Sequence, residues 1–172
     1  GPGDPVSGDA PRNWNDLVKL ELPDFDVFEI DTTGSVPRVA SRTSGVGTTL
    51  FNLAVNPSNG NVYVSNQEAN NLTRFEGPGL ASTTVNGNFV QSRITVVDGN
   101  NALPRHLNKH IDYSTAPGNG TASEKERAVA IPLQMAVSSD GENLFMASMG
   151  SSKLVRYDTG ALENDSFQPN TN

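Results

Sequence analysis

The chain reads as an all-β protein built from stacked antiparallel modules, and three observations carry that reading. Two segments match without a gap, LAVNPSNGNVYVSNQEANNLTRFE from Leu53 and MAVSSDGENLFMASMGSSKLVRYD from Met135, 82 positions apart. Each copy runs through an apolar strand, a polar turn, a strand alternating in aromatic and β-branched residues, a small-residue link and a third strand closing on an acid. Composition agrees with short strands and frequent turns: 35% of residues are apolar, and there are 16 Gly and 11 Pro. A module that cannot cover its own apolar faces has to stack on a neighbour, so a repeat on this scale specifies architecture before any site is sought.

Residues 1–13 are rich in Gly, Pro, Asp and Ser and are expected to form a flexible arm. Residues 14–47 make part of a first module. LVKLEL (17–22) alternates with period two, Pro23-Asp24 turns, and FDVFEID (25–31) alternates again, which predicts a hairpin. VPRVASRT (36–43) follows as a strand, and Pro37 places it at a sheet edge or a strand start.

Residues 48–98 form a complete module. Phe51–Asn56 is its first strand, and Asn59-Gly60 supports the positive φ of a tight hairpin that pairs NVYVSN (61–66) back. Gln67–Asn70 is expected to turn, LTRFEG (72–77) to be the third strand and FVQSRITVVDG (89–99) the fourth. Residues 99–130 read as an insertion without sustained periodicity. Within it Leu103–His110 is expected to close one helical turn with Pro104 at its first position, and APGNGTASEKER to be mobile. Residues 131–163 repeat the module as LQMAVS, NLFMAS and KLVRYD with the fourth strand missing or rudimentary, and 164–172 is a polar tail.

With the insertion set aside the unit is about 41 residues, the size of a four-stranded propeller blade at roughly 40–45. The expected fold is therefore a set of β-propeller blades of four antiparallel strands. About ten strands fall short of the roughly 16 that a four-bladed ring needs, which implies a partial ring. The chain opens on GPGDPVSGDAP and reads as an interior or processed piece. Its expected partners are the remaining blades or other protein chains.

VYVSN (62–66), LFMAS (144–148), VFEIDTTG (27–34) and VRYDTG (155–160) resemble the YVTN family of β-propellers, with strands of the type A-V-S-P-D-G, then a YVAN-like strand, then V-S-V-I-D-T. The resemblance covers about residues 14–98 and 131–163. Met146 and Ser148 stand where the family usually has Val and Asn, and the insertion has no counterpart in the short repeat. Relatives of this type include cell-surface proteins, lactonase-like enzymes and propellers attached to cytochrome c domains. The resemblance implies a non-enzymatic scaffold or binding module of a secreted, periplasmic or surface protein. Its alternative is part of a lactonase-like hydrolase or of a cytochrome-associated redox propeller.

Charge and composition exclude several function classes. A net charge of −7 with 12 scattered basic residues makes no patch for nucleic acid or anionic lipid. No apolar run approaches the roughly 20 residues that span a bilayer. Without cysteine there is no disulfide, thiolate metal site, Cys nucleophile or covalently attached c-type haem within the chain. No Gly-x-Ser-x-Gly elbow occurs, and Gly45-Val46-Gly47-Thr48 lacks the rest of a phosphate loop. No catalytic group and no cofactor is assigned.

The candidate metal ligands are His106 and His110, four apart, which one helical turn would bring to the same side with Asp112 and Tyr113 nearby. The competing reading is a polar excursion with both imidazoles solvated or hydrogen bonded. Asp140–Asn143 and Asn56–Asn61 look like oxygen-rich loops, but hairpin chemistry explains them. Asp24 and Asp26 belong by alternation to a solvated strand face. Met135, Met146 and Met149 are expected to fill blade cores, and the equivalent Arg74 and Arg156 to lie on exposed blade surfaces.

Overall fold

A computed structural model describes residues 24–70, 88–113 and 121–169. Its strands form three antiparallel sheets, of two, four and three strands in chain order. The first holds β1 (Val27–Asp31) and β2 (Arg38–Thr43), paired from Val27↔Thr43 to Asp31↔Arg38. The Asp31 carboxylate closes the turn by accepting from the Thr33 amide at 2.9 Å and its hydroxyl at 2.7 Å. β2 starts immediately after Pro37, which has no N–H to give a ladder. The segment 17–22, the other half of the expected hairpin, lies outside the described residues.

In the second sheet β3 (Thr49–Val55) turns through Asn56–Asn61 into β4 (Val62–Ala69). The turn is closed by Asn56 N to Asn61 O at 2.8 Å and Gly60 N to Asn56 O at 2.9 Å, and Gly60 takes a φ of 81°. β4 continues through Gln67–Ala69, where a turn is expected, because those residues pair with β5 (Val90–Asp98) in a ladder from Val62↔Val97 to Ala69↔Val90. The segment at 89–99 is thus the third strand of its sheet and not the fourth. LTRFEG (72–77) lies outside the described residues.

The fourth strand is β6 (Asn101–His106), which corrects the expected helical turn over Leu103–His110. Pro104 sits opposite Thr95 in the outermost strand, where a missing N–H breaks no further ladder. Leu103 packs on the core between the sheets and Ala102 on the core beneath β1. Only Leu107–His110 turns. The sequence Thr121-Ala-Ser-Glu124, inside the stretch expected to be mobile, is a capping box that starts α1 (Ala122–Arg127).

The third sheet is β7 (Pro132–Val137), β8 (Asn143–Ser148) and β9 (Lys153–Asp158), with a 3-10 turn at Met149–Ser151 between the last two. After β9 the chain enters α2 (Thr159–Glu163), capped by the Asp158 side chain on Ala161 N, instead of returning as a strand. Register shows how the modules correspond in space. Asn143 pairs with Asp158, while Val62, one place after Asn61, pairs with Val97. Thr95–Asp98 is therefore the structural counterpart of Val155–Asp158, although the ungapped match aligns the latter with 73–76.

Alternation along β4 gives it two buried faces. Tyr63 joins Ile94, Val96, Leu107, Val129, Leu144, Met146, Tyr157, Leu162 and Phe167 in the core between the second and third sheets. Val64, Val97 and Val46 form a smaller core on the opposite face, with Val27 of β1 packed against it. Met146 is fully buried and Met135 packs beside it, as blade fillers should, whereas Met149 is exposed.

Bonds from side chains to backbone lock the two large sheets together. Asn52 Oδ1 accepts from Met135 N at 3.0 Å, and the Ser65 hydroxyl donates to Leu133 O at 2.6 Å. Gly141 closes the matching turn with a φ of 80°, and a Cβ there would collide with the Ser58 and Asn56 side chains. Gly141→Ala is expected to cost about 1–3 kcal/mol in urea unfolding. Gly99→Ala, at a φ of 58° but with open space around it, tests the backbone contribution alone and should cost less.

Candidate functional site

β9 hydrogen bonds to β8 along one side, and among the described residues no strand covers the other. A groove of about 710 Å³ follows that free side for the full length of Lys153–Asp158. One wall is the segment Glu126–Val129, the other is Ser166–Pro169, and Leu107 contributes to the lining. On the second sheet the corresponding place is filled by β6 beside β5. The groove exists because α2 carries the chain away from β9.

Long-range bonds fix each wall. Lys153 Nζ donates to Ala128 O at 2.7 Å and also to Glu126 O, tying the first wall to β9. Arg127 reaches Pro169 O at 3.4 Å, joining the two walls at one end. Phe167 and Tyr157 pack edge to face, with ring centroids 5.5 Å apart, and the Lys109 ammonium stands over the Phe167 ring, 4.1 Å from its centroid. Lys109 also pairs with Asp165 at 2.5 Å, while Arg105 donates to the carbonyls of Leu162 and Glu163 at the end of α2. Burial pushes the Tyr157 phenol up, so it is a neutral group throughout ordinary pH. The groove thus combines unpaired strand backbone, the exposed apolar side chain of Leu154 and the charges of Arg156 and Asp158 on exposed positions of β9, with the buried Leu107, Val129 and Phe167 at its floor.

The two candidate histidines lie outside this groove. His106 ends β6, with its ring 5.6 Å from that of Tyr113 and its Nε2 buried without a hydrogen-bond partner among the described residues. Burial, followed by the positive charges of Arg93, Lys109 and His110, pushes its pKa below the usual histidine value. His110 Nε2 lies 3.0 Å from Glu124 O, a carbonyl that can only accept, so that nitrogen donates, and Nδ1 is buried without a hydrogen-bond partner among the described residues. The helical turn that would align the pair is absent at His106, which belongs to a strand. Among the described residues no group of three or more His, Cys, Asp or Glu gathers around a common point. Arg93 and Lys109 also make the surroundings of His106 unfavourable for a cation.

The other acidic candidates serve the chain's own backbone. Asp26 accepts from Val46 N at 2.8 Å and so holds Val46 in the smaller core, a job its place on an alternating strand does not reveal. Asp140 accepts from Glu142 N at 2.9 Å and Ser138 Oγ at 2.5 Å inside its turn. Arg156 is exposed, and Arg74 lies outside the described residues.

A polar seam beside the large core was not visible in the sequence. The Tyr63 hydroxyl donates to Glu163 Oε1 at 2.5 Å and accepts from Asn56 Nδ2 at 2.9 Å, and Asn59 donates to the same carboxylate at 3.0 Å. Burial first, then the bond to Glu163, push the Tyr63 phenol up to about 12. Burial also acts to raise Glu163, but the bonds from Tyr63 and the neighbouring asparagines outweigh it and hold the carboxyl below its usual range.

The open, propeller-like all-β arrangement has a counterpart among solved structures. Hydrazine synthase of Kuenenia stuttgartiensis, a β-propeller-containing protein, superposes with a TM-score of 0.52 at 17% identity. The match covers 74% of this chain and 31% of that one, so the chain spans about a third of its length. At that identity the similarity is one of fold. No family model and no curated protein matches the chain.

The seam makes stability depend on pH at both ends. A raised tyrosine pKa favours the neutral phenol in the folded state, so its contribution is whole below about 10 and lost as pH rises toward 12. A lowered Glu163 contributes above the ordinary carboxyl range and is lost as pH falls through it. Thermal melts against pH should show Tyr63→Phe flattening the alkaline fall and Glu163→Gln flattening the acid one. Unchanged profiles in both variants would remove the seam from the stability of the fold.

Proposed function

We propose that this chain is a non-enzymatic binding module of propeller type, which takes an extended polypeptide strand along the free edge of β9. The groove beside that edge is the observation that supports the reading. An unpaired strand edge recognises the backbone of an incoming strand, and pockets on alternate positions select its side chains. One set of alternate residues in the guest would lie over the floor where Leu107, Val129 and Phe167 are already largely buried, and should be small and apolar. The other set would meet Arg156 and Asp158, which favours an acid and a base two positions apart. The partner is another stretch of protein, and the acidic surface rich in Asn, Ser and Thr suits a secreted, periplasmic or surface setting.

A synthetic peptide with the sequence of Asn101–His106, the strand that fills the equivalent place on the second sheet, is a direct probe. Added at millimolar concentration to the full chain, it should slow amide hydrogen exchange across Lys153–Asp158, and a scrambled peptide should not. Equal exchange with both peptides would refute the strand-binding role.

A further inference from the structure

The interface between the second and third sheets has two sides, and the described residues carry a spare copy of each. The side offered by the second sheet includes Ala54 on β3, Tyr63 and Ser65 on β4, and Ile94 and Val96 on β5. Displaced by the repeat, Ala54, Tyr63 and Ser65 become Ala136, Phe145 and Ala147, and through the shared closing acid Ile94 becomes Leu154 and Val96 becomes Arg156. Aromatic replaces aromatic, small replaces small and Leu154 replaces an aliphatic, while Arg156 brings a charge, and an aliphatic stem, to the place of the buried Val96. Yet this face of the third sheet is open, with Phe145 38% and Leu154 77% exposed.

The side offered by the third sheet includes Val155 and Tyr157, both packed into the large core. Counting back from the closing acid, Asp31 in β1 and Asp158 in β9, their counterparts are Phe28 and Ile30. Val27, between them and the second sheet, packs inward, while Phe28 and Ile30 are each 48% exposed and Val39, paired with Ile30, is 45% exposed. Among the described residues the first and third sheets therefore present opposite halves of an interface that the same chain already forms internally.

We infer that the chain associates head-to-tail with a second copy of itself, the Phe145, Ala147 and Leu154 face of one copy against the Phe28, Ile30 and Val39 face of the next. This rests on the reading of the chain as an arc of stacked sheets; Leu154 also lines the groove beside β9, whereas Phe145 and Ala147 on β8 and the whole Phe28 patch lie outside it. Because the two patches differ, the contact is heterologous and leaves a free patch at each end of a dimer, so assembly continues with concentration. A net charge of −7 per copy opposes it, and added salt should strengthen it.

Sedimentation velocity of the full chain over a concentration series tests the inference. The wild-type coefficient should rise with concentration, and Leu154→Arg and Phe28→Arg should each weaken association at least tenfold. Each variant keeps one intact patch, so an equimolar mixture of the two should form a one-to-one dimer that neither forms alone. Circular dichroism checks that the variants fold, and Ala147→Glu tests the same face should Leu154→Arg alter the spectrum. A wild-type chain that remains monomeric at high micromolar concentration, a Leu154→Arg variant that sediments like wild type, or a mixture that stays monomeric would each overturn it. Any of these results leaves the exchange experiment on β9 to be read separately.

Discussion

Burial of both faces of the four-stranded sheet is the constraint on which the rest of the structure depends. In β4 it falls on successive residues: Tyr63 and Ser65 meet the third sheet, while Val62 and Val64 meet the layer that contains Val46 and Val27. A slip of one residue in the pairing of β4 with β5 would exchange these two sets, placing a tyrosine where a valine fits and a hydroxyl away from its carbonyl. Two-sided burial therefore specifies register strongly. It also explains why the β4–β5 ladder extends to Ala69↔Val90 through polar residues that no alternation rule would select. The strand continues because its partner does.

Once the second sheet is set, polar bonds place the third sheet on it. β7 lies against β3 and β4 through side-chain-to-backbone contacts, Asn52 with Met135 N and Ser65 with Leu133 O, and the two hairpin turns meet where Asn56 donates to Gly141 O at 3.0 Å. Such bonds are modest singly, but each satisfies a backbone group that the junction would otherwise leave without water. Arg105 and Lys109, from the outer strand of the second sheet and the turn after it, then take hold of α2 and Asp165. The result keeps the chain off the edge of β9. A hydrophobic junction, a polar clasp and an open strand edge are thus successive consequences of one stacking.

Much of this was legible in the residues. The repeat located β3, β4, β7, β8 and β9, and Asn59-Gly60 located a turn, because alternation and positive-φ residues are local signals. What failed was assignment of neighbours. Pro104 looked like the first residue of a helix, but a proline is equally at home in an outermost strand, and the difference lies in Thr95 across the ladder. The closing Val155–Asp158 matched 73–76 in sequence and Thr95–Asp98 in space, since a long link separates β4 from β5. His106 and His110 both have a buried ring nitrogen without a partner among the described residues. Their spacing suggested a shared face that the strand at His106 does not provide.

The sequence by itself determined that this is a β protein of stacked antiparallel modules, because period-two alternation, turn chemistry and a repeated module are properties of neighbouring residues. Only the tertiary structure decided which strand lies beside which, that Tyr63 and Glu163 share a proton-bearing contact, and that β9 has a free edge lined by segments from three parts of the chain. Those features join residues as many as 100 positions apart, and nothing in the local pattern of either partner encodes where the other will be.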